Sequence, residues 1–308
     1  MKSKWTTGIL LFVFCVRADA AQMKERTLCA GWGPAYEIGE LDGRILDEAS
    51  GMAVSSQFEN RLYHVDDSAT TLYLTDLSGS PVQAVRVAGQ QGRDVEDLAL
   101  GPCGDRSCLF IADIGDNAAE RDTIEVVIVP EVERFPALVE PLARIRLRYP
   151  DGPRDAEAIA VHPDGDVFIM TRNFFPAASQ PYAELFRLGA EDWMEASGQV
   201  ETLVPVATID FRELSTTLPN RLVSGLDISP DGGRMLVLTY ENAFEFRIDV
   251  SDPTLTLGRR LVESVDYREI ELVQLRQQEA IAYSKQGFIY GTEAGRSRSP
   301  LMKVPCLR

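Results

Sequence analysis

Histidine is nearly missing from this sequence: His64 and His162 are the two in 308 residues. A Ser-His-Asp triad needs a histidine beside its nucleophile. Here one histidine falls in the middle of an apolar strand pattern and the other beside a turn. With so few histidines and no C-x-x-C spacing, zinc has little to bind to. No glycine-rich loop follows a strand and opens a helix, so a P-loop is absent. Positive charge is also scarce, with 31 Lys and Arg against 47 Asp and Glu and a formal net charge of −16. Such a balance repels polyphosphate backbones and anionic lipid surfaces, which argues against nucleic acid and against anionic membranes as partners. Long apolar runs are lacking too, since no stretch approaches the ~20 residues that a membrane span requires.

The one short apolar run, Gly8 to Val16, lies between Met1-Lys-Ser-Lys4 and Ala18-Asp-Ala20. Together these have the three parts of a secretory signal peptide, expected over residues 1–20. The protein is therefore expected to be exported, periplasmic or secreted, with residues 21–308 forming one domain. Removing Lys2, Lys4, Arg17 and Asp19 with the signal takes the net charge from −16 to −18. Cys15 also falls in that segment, leaving Cys29, Cys103, Cys108 and Cys306. An even number of cysteines in an exported chain suggests two disulfides, with three pairings open. Cys103 and Cys108 flank a Gly-Asp-Arg-Ser turn and suit a local bridge. A Cys29–Cys306 clasp suits a fold whose ends meet.

One phrase returns five times: Ser50-Gly-Met-Ala-Val54, Glu96-Asp-Leu-Ala-Leu100, Glu157-Ala-Ile-Ala-Val161, Ser224-Gly-Leu-Asp-Ile228 and Glu279-Ala-Ile-Ala-Tyr283. Units of 46 to 67 residues, each with several short alternating strands, predict an all-β, five-bladed β-propeller. Each phrase reads as an innermost strand. Its second and fourth positions are small and its third is large and apolar, so each blade offers a shallow face to one neighbour and a bulky face to the other. Asp227 breaks that rule and needs a partner. The last unit stops one strand short, and Ala35–Glu40 is available to complete it, which closes the ring and removes an exposed edge. A loop at Asn173–Pro181 is expected to absorb the longest spacing.

Closing the ring brings Ser50, Glu96, Glu157, Ser224 and Glu279 to the mouth of the central channel. Three carboxylates in so small a space repel one another or take up protons unless a cation neutralises them. Calcium, which accepts an all-oxygen shell, fits this set better than zinc or copper; magnesium, or only water in a polar channel, is the alternative. The second strands end on the same rim, at Asp66-Asp67, Asp113, Thr171-Arg172, Thr239-Tyr240 and Thr292-Glu293. A water activated by metal is then the nucleophile to expect, with Asp66, Asp67 or Asp113 as base. Arg121, Arg172 and Tyr240 are the candidate substrate-binding residues. Acidic loop ends are also ordinary turn chemistry, which suits Gly115-Asp116-Asn117.

The order Ser, Glu, Glu, Ser, Glu on five blades resembles the calcium-activated nucleotidase (soluble apyrase) family. Ser50-Gly-Met-Ala-Val with Leu62-Tyr-His-Val-Asp-Asp-Ser is similar to that family's first blade. The resemblance implies a central calcium on those five positions and a hydrolase acting on phosphate esters or anhydrides. The sequence departs from the family at Tyr36–Asp42 and at Ala112–Asn117. Asp113-Ile-Gly-Asp-Asn117 and Asp155-Ala-Glu-Ala158 look instead like an exported bacterial propeller group described as esterase-like or phytase-like. Ser224–Gly232 is similar to a phrase of six-bladed calcium lactonases. The alternatives to a phosphohydrolase are therefore a lactonase or esterase, or a non-catalytic propeller with a structural calcium and a small-molecule or protein ligand at the channel mouth.

Overall fold

The computed structural model describes residues 28–67, 71–89, 92–172, 182–195, 198–249, 261–293 and 298–307. The expected signal peptide and the expected loop at 173–181 lie outside the described residues. Strands β1 (Gly31–Trp32) and β2 (Tyr36–Leu41) precede the first blade, β3 (Ala49–Val54), β4 (Leu62–Asp66), β5 (Thr71–Thr75) and β6 (Gln83–Val87). Blade two is β7 (Val95–Cys103), β8 (Arg106–Asp113), β9 (Ile124–Pro130) and β11 (Ala143–Arg148). Blade three follows with β12 (Ala156–Val161), β13 (Val167–Thr171), β14 (Ala183–Leu188) and β16 (Val204–Ile209). Blade four is β17 (Val223–Ile228), β18 (Arg234–Thr239), β19 (Ala243–Arg247) and β20 (Tyr267–Ile270). The last blade has β21 (Gln278–Ser284), β22 (Gly287–Thr292) and β23 (Ser299–Leu307), and β1 and β2 both pair antiparallel with β23. The fold is thus a five-bladed β-propeller whose N-terminal strands complete the last blade.

Two additions were not legible in the repeat. β10 (Leu138–Val139) and β15 (Val200–Thr202), drawn from the long connections, lie parallel along the outer strands of blades one and two. Both cover edges that would otherwise offer unpaired backbone groups.

Five apolar clusters hold the ring, one in each gap between blades. The repeated phrase explains how. Its third-position residues Met52, Leu98, Ile159, Leu226 and Ile281 are all buried, and each lies in the cluster shared with the preceding blade. Fourth-position Ala53, Ala99, Ala160 and Ala282 each join the cluster shared with the following blade. Blades approach closely on that side, and at Gly51 a Cβ would stand 2.6 Å from the Asp97 backbone.

Asp227 finds a partner in the next blade, accepting from Tyr283 N at 2.6 Å, and also accepts from its own neighbour Ile228 N at 2.8 Å. Asp97, also in the phrase, does the same between blades two and three, accepting from Ile159 N at 2.9 Å and Leu98 N at 2.7 Å. Disulfides join Cys29 to Cys306 and Cys103 to Cys108. The first clasps the two ends of the closing blade, and the second pins the β7–β8 hairpin.

Candidate metal and ligand site at the channel mouth

Each inner strand carries a β-bulge at the same place. Pairing with the second strand slips between Ala49 and Gly51, Val95 and Asp97, Ala156 and Ala158, Val223 and Gly225, and Gln278 and Ala280. The skipped residues are Ser50, Glu96, Glu157, Ser224 and Glu279. A bulge leaves one residue unpaired and re-aims its side chain, so the five oxygen-bearing positions differ in backbone geometry from the strands they open. All five are buried.

The two serines join neighbouring blades. Ser50 Oγ donates to Val95 O at 2.8 Å and Ser224 Oγ donates to Gln278 O at 2.7 Å, in both cases to the residue before the next blade's glutamate. Each hydroxyl keeps lone pairs for another contact. The three glutamates feel one another. Burial, then Asp94, pushes the Glu96 carboxyl up to about 8. Burial, then Glu293, pushes Glu279 up to about 10, and burial, then Glu96, holds Glu157 well above the usual range.

Arg172 stands among these acids. Its guanidinium lies 2.6 Å from Glu157 Oε1 and donates to Asp155 Oδ2 at 3.2 Å, to Asn117 Oδ1 at 2.7 Å and to the Tyr240 hydroxyl at 3.1 Å. Burial works against its charge, but Glu157 and Asp155 outweigh it and hold the group firmly protonated. Tyr240 passes the contact on, donating to Glu279 Oε1 at 3.1 Å. Arg172, Tyr240 and the ring glutamates are therefore one connected network.

The other candidates divide. Asp113 is committed elsewhere: it pairs with Arg121 at 2.8 Å and accepts from the backbone of Arg93 and Asp94. Arg121 is spent on Asp113 and on Gly115 O at 2.6 Å. Asp116 caps its own turn by accepting from Glu120 N and Arg121 N, as turn chemistry suggests. Asp66 and Asp67 join Glu48, and among the described residues this is the one acidic group whose ligand atoms all lie within 4.8 Å of one another. Burial, then a hydrogen bond with Glu48, raises the Asp67 carboxyl to about 7. Its Oδ1 is buried without a hydrogen-bond partner among the described residues. His64 is buried against Thr75 Oγ1 at 3.0 Å and its pKa is lowered to about 3 by burial. It takes no part in the mouth.

Glu48, Asp94 and Asp155 escape a reading confined to the five-residue phrase. They occupy one position, two residues before Ser50, Glu96 and Glu157. That offset is the signal that finds them. Gly115 belongs with them, because a Cβ there would stand 2.2 Å from Glu96 Oε1 and 2.5 Å from Asp94 Cγ. The donor set is oxygen throughout, dominated by carboxylates that lack full neutralisation, and in kind it fits a hard divalent cation.

No protein-family model and no curated protein matches this sequence. Solved structures do match the fold. The major allergen Mala s 1 of Malassezia sympodialis superposes with a TM-score of 0.54 at 11% identity, over 87% of this chain and 96% of that one. A luciferin-regenerating enzyme aligns over 90% of this chain and 96% of its own, with a TM-score of 0.46 and 11% identity. At such identities the likeness concerns architecture alone. The two disulfides fit an oxidising compartment, and among the described residues no helix is long and apolar enough to cross a membrane.

Proposed function

We propose that this is an exported propeller whose channel mouth binds calcium, and that the loaded mouth hydrolyses a phosphate ester or anhydride. The observation that supports the reading is the set of five matching bulges, which re-aim three buried glutamates and two buried serines at the same point of each inner strand, with the Arg172 guanidinium beside Glu157. Glu96, Glu157 and Glu279 would hold the cation, with Ser50 and Ser224 adding hydroxyl lone pairs. Bound there, calcium supplies charge for a phosphoryl oxygen and a site for water. Asp67 would serve as the base, because its carboxyl, pushed up to about 7 by burial and by Glu48, is suited to proton transfer at neutral pH. Asp113, tied to Arg121, is poorly placed for that role.

A second reading has its own support. Arg172 is held by Glu157, Asp155, Asn117 and Tyr240, so it is not free to grip a substrate and itself serves as a counter-ion. In that case the mouth is a non-catalytic binding surface and the cation stabilises the fold. Turnover of p-nitrophenyl phosphate and nucleoside diphosphates, in calcium and in chelator, separates the two. Calcium-dependent hydrolysis that Glu157→Gln abolishes supports the hydrolase. Calcium binding without turnover across such a panel leaves the binding module, and no calcium binding overturns both.

A further inference from the structure

The opposite end of the channel holds a cavity of about 470 Å³, within the range of small-ligand sites. All five inner strands reach its wall. Met52, Leu98, Val161 and Ile228 supply apolar surface, while Asp227 and Tyr283 stand between blades four and five. One side is built differently from the rest. β7 and β8 run for 9 and 8 residues, whereas β3, β12 and β17 have 6 each. The surplus, Gly101 to Ser107, forms the overhanging wall, and the Cys103–Cys108 disulfide pins it. A wall locked before ligand arrives costs little ordering entropy on binding.

Charge sets the ligand class. Asp227 is partly buried on the cavity wall, with one backbone N–H on each carboxylate oxygen, which leaves acceptor capacity toward the cavity. Asp97, fully buried near the axis and off the lining, is pushed toward its neutral form by burial. Among the described residues no Lys or Arg lies within ion-pair distance of either. The nearest cation on the lining, Arg106, is largely exposed at the hairpin tip beside Asp105. An anion would meet the Asp227 carboxylate with no cation beside it to offset the charge, whereas an ammonium would satisfy that carboxylate.

We propose that this lower cavity is a binding site for a small organic amine, its ammonium group on Asp227 and its apolar body against Met52, Leu98 and Ile228. The site is independent of the calcium reading, because it lies at the other mouth.

Phenethylamine is a suitable probe, with phenethyl alcohol and 3-phenylpropanoate as neutral and anionic mimics. Ligand-observed NMR titration of the folded, disulfide-intact chain at about pH 8 keeps the amine charged. The amine should bind about tenfold or more tighter than the alcohol, as a charge-assisted hydrogen bond requires, and the carboxylate should not bind. Pro163→Trp, at an exposed position on the lining, fills the cavity and should abolish binding without disturbing the core. Asp227→Asn should remove the preference for the amine. Calcium and chelator should give the same amine affinity. Equal binding of all three probes, absence of amine binding, or amine binding unchanged by Pro163→Trp would overturn the proposal, even if Asp227→Asn fails to fold.

Discussion

Arg172 stands 2.6 Å from the Glu157 carboxylate, at a mouth where burial raises the proton affinity of the ring glutamates. On the proposed function, the guanidinium and a divalent cation would compete for Glu157. Arg172→Met removes the internal counter-ion and leaves Asp155 and Glu157 buried without it. Breaking such a pair costs about 3 kcal/mol, so denaturant unfolding in chelator should show a loss of that size. Calcium should restore most of it, and calorimetry should show calcium binding more tightly than to the parent. Unchanged or weaker calcium binding would mean that the ring is not the cation site.

Gly115 gives a test that leaves charge alone. A Cβ at this position meets Glu96 Oε1 at 2.2 Å and Asp94 Cγ at 2.5 Å, distances that force the acids to move. Gly115→Ala should therefore displace Glu96 while sparing the apolar clusters. The expected outcome is a fall in calcium affinity of about tenfold, with a thermal midpoint in chelator close to the parent's. Parent-like calcium binding would remove Glu96 from the ligand set.

Much of this arrangement is legible in the repeated phrase. Its alternation of small and large residues dictates which face of each inner strand meets which neighbour, and Met52, Leu98, Ile159, Leu226 and Ile281 follow it without exception. The closing strand is legible because a missing strand leaves an edge that must be covered. Asp97 is not, since beside glycine and alanine it passes for one more small residue, and only the approach of Ile159 N shows it as a bridge. The bulges are hidden too, because an extra residue in one strand is visible only against its partner's register. Arg172 can be placed on the rim from its position after the second strand. Its binding to Asp155, Asn117 and Tyr240 depends on loops from three blades, and no local pattern encodes that.

Stability should respond to pH through Asp227. Burial raises its carboxyl to about 7, against the pull of the Tyr283 and Ile228 amides, while an unfolded aspartate titrates near 4. The folded state thus binds the proton more tightly. The stability gained from it is complete below about pH 4 and is lost as pH rises through about 7. Other buried carboxylates at the mouth act with the same sign, so the informative quantity is the difference between the parent and Asp227→Asn. In chelator that difference should be constant at alkaline pH, with the parent gaining on the variant as pH falls from about 8 to about 5. Parallel curves would show that Asp227 is not the titrating group.

The two disulfides should separate in both energy and function. Cys29–Cys306 closes a sequence separation of 277 residues and ties the N-terminal strands to β23, whereas Cys103–Cys108 spans 5 residues in a hairpin already held by its backbone pairing. Constraint of the unfolded chain grows with loop length, so replacing the first pair by serine should cost about 5 kcal/mol and the second about 2 kcal/mol. Function should rank them in the other order. Loss of the clasp should leave the lower cavity's amine binding intact at temperatures where the protein stays folded. Loss of the hairpin bridge should weaken that binding, because the overhang from Gly101 to Ser107 is then free to move, while calcium binding at the opposite mouth is unaffected. Equal amine affinity in the two double variants would show that the pinned hairpin contributes nothing to the cavity.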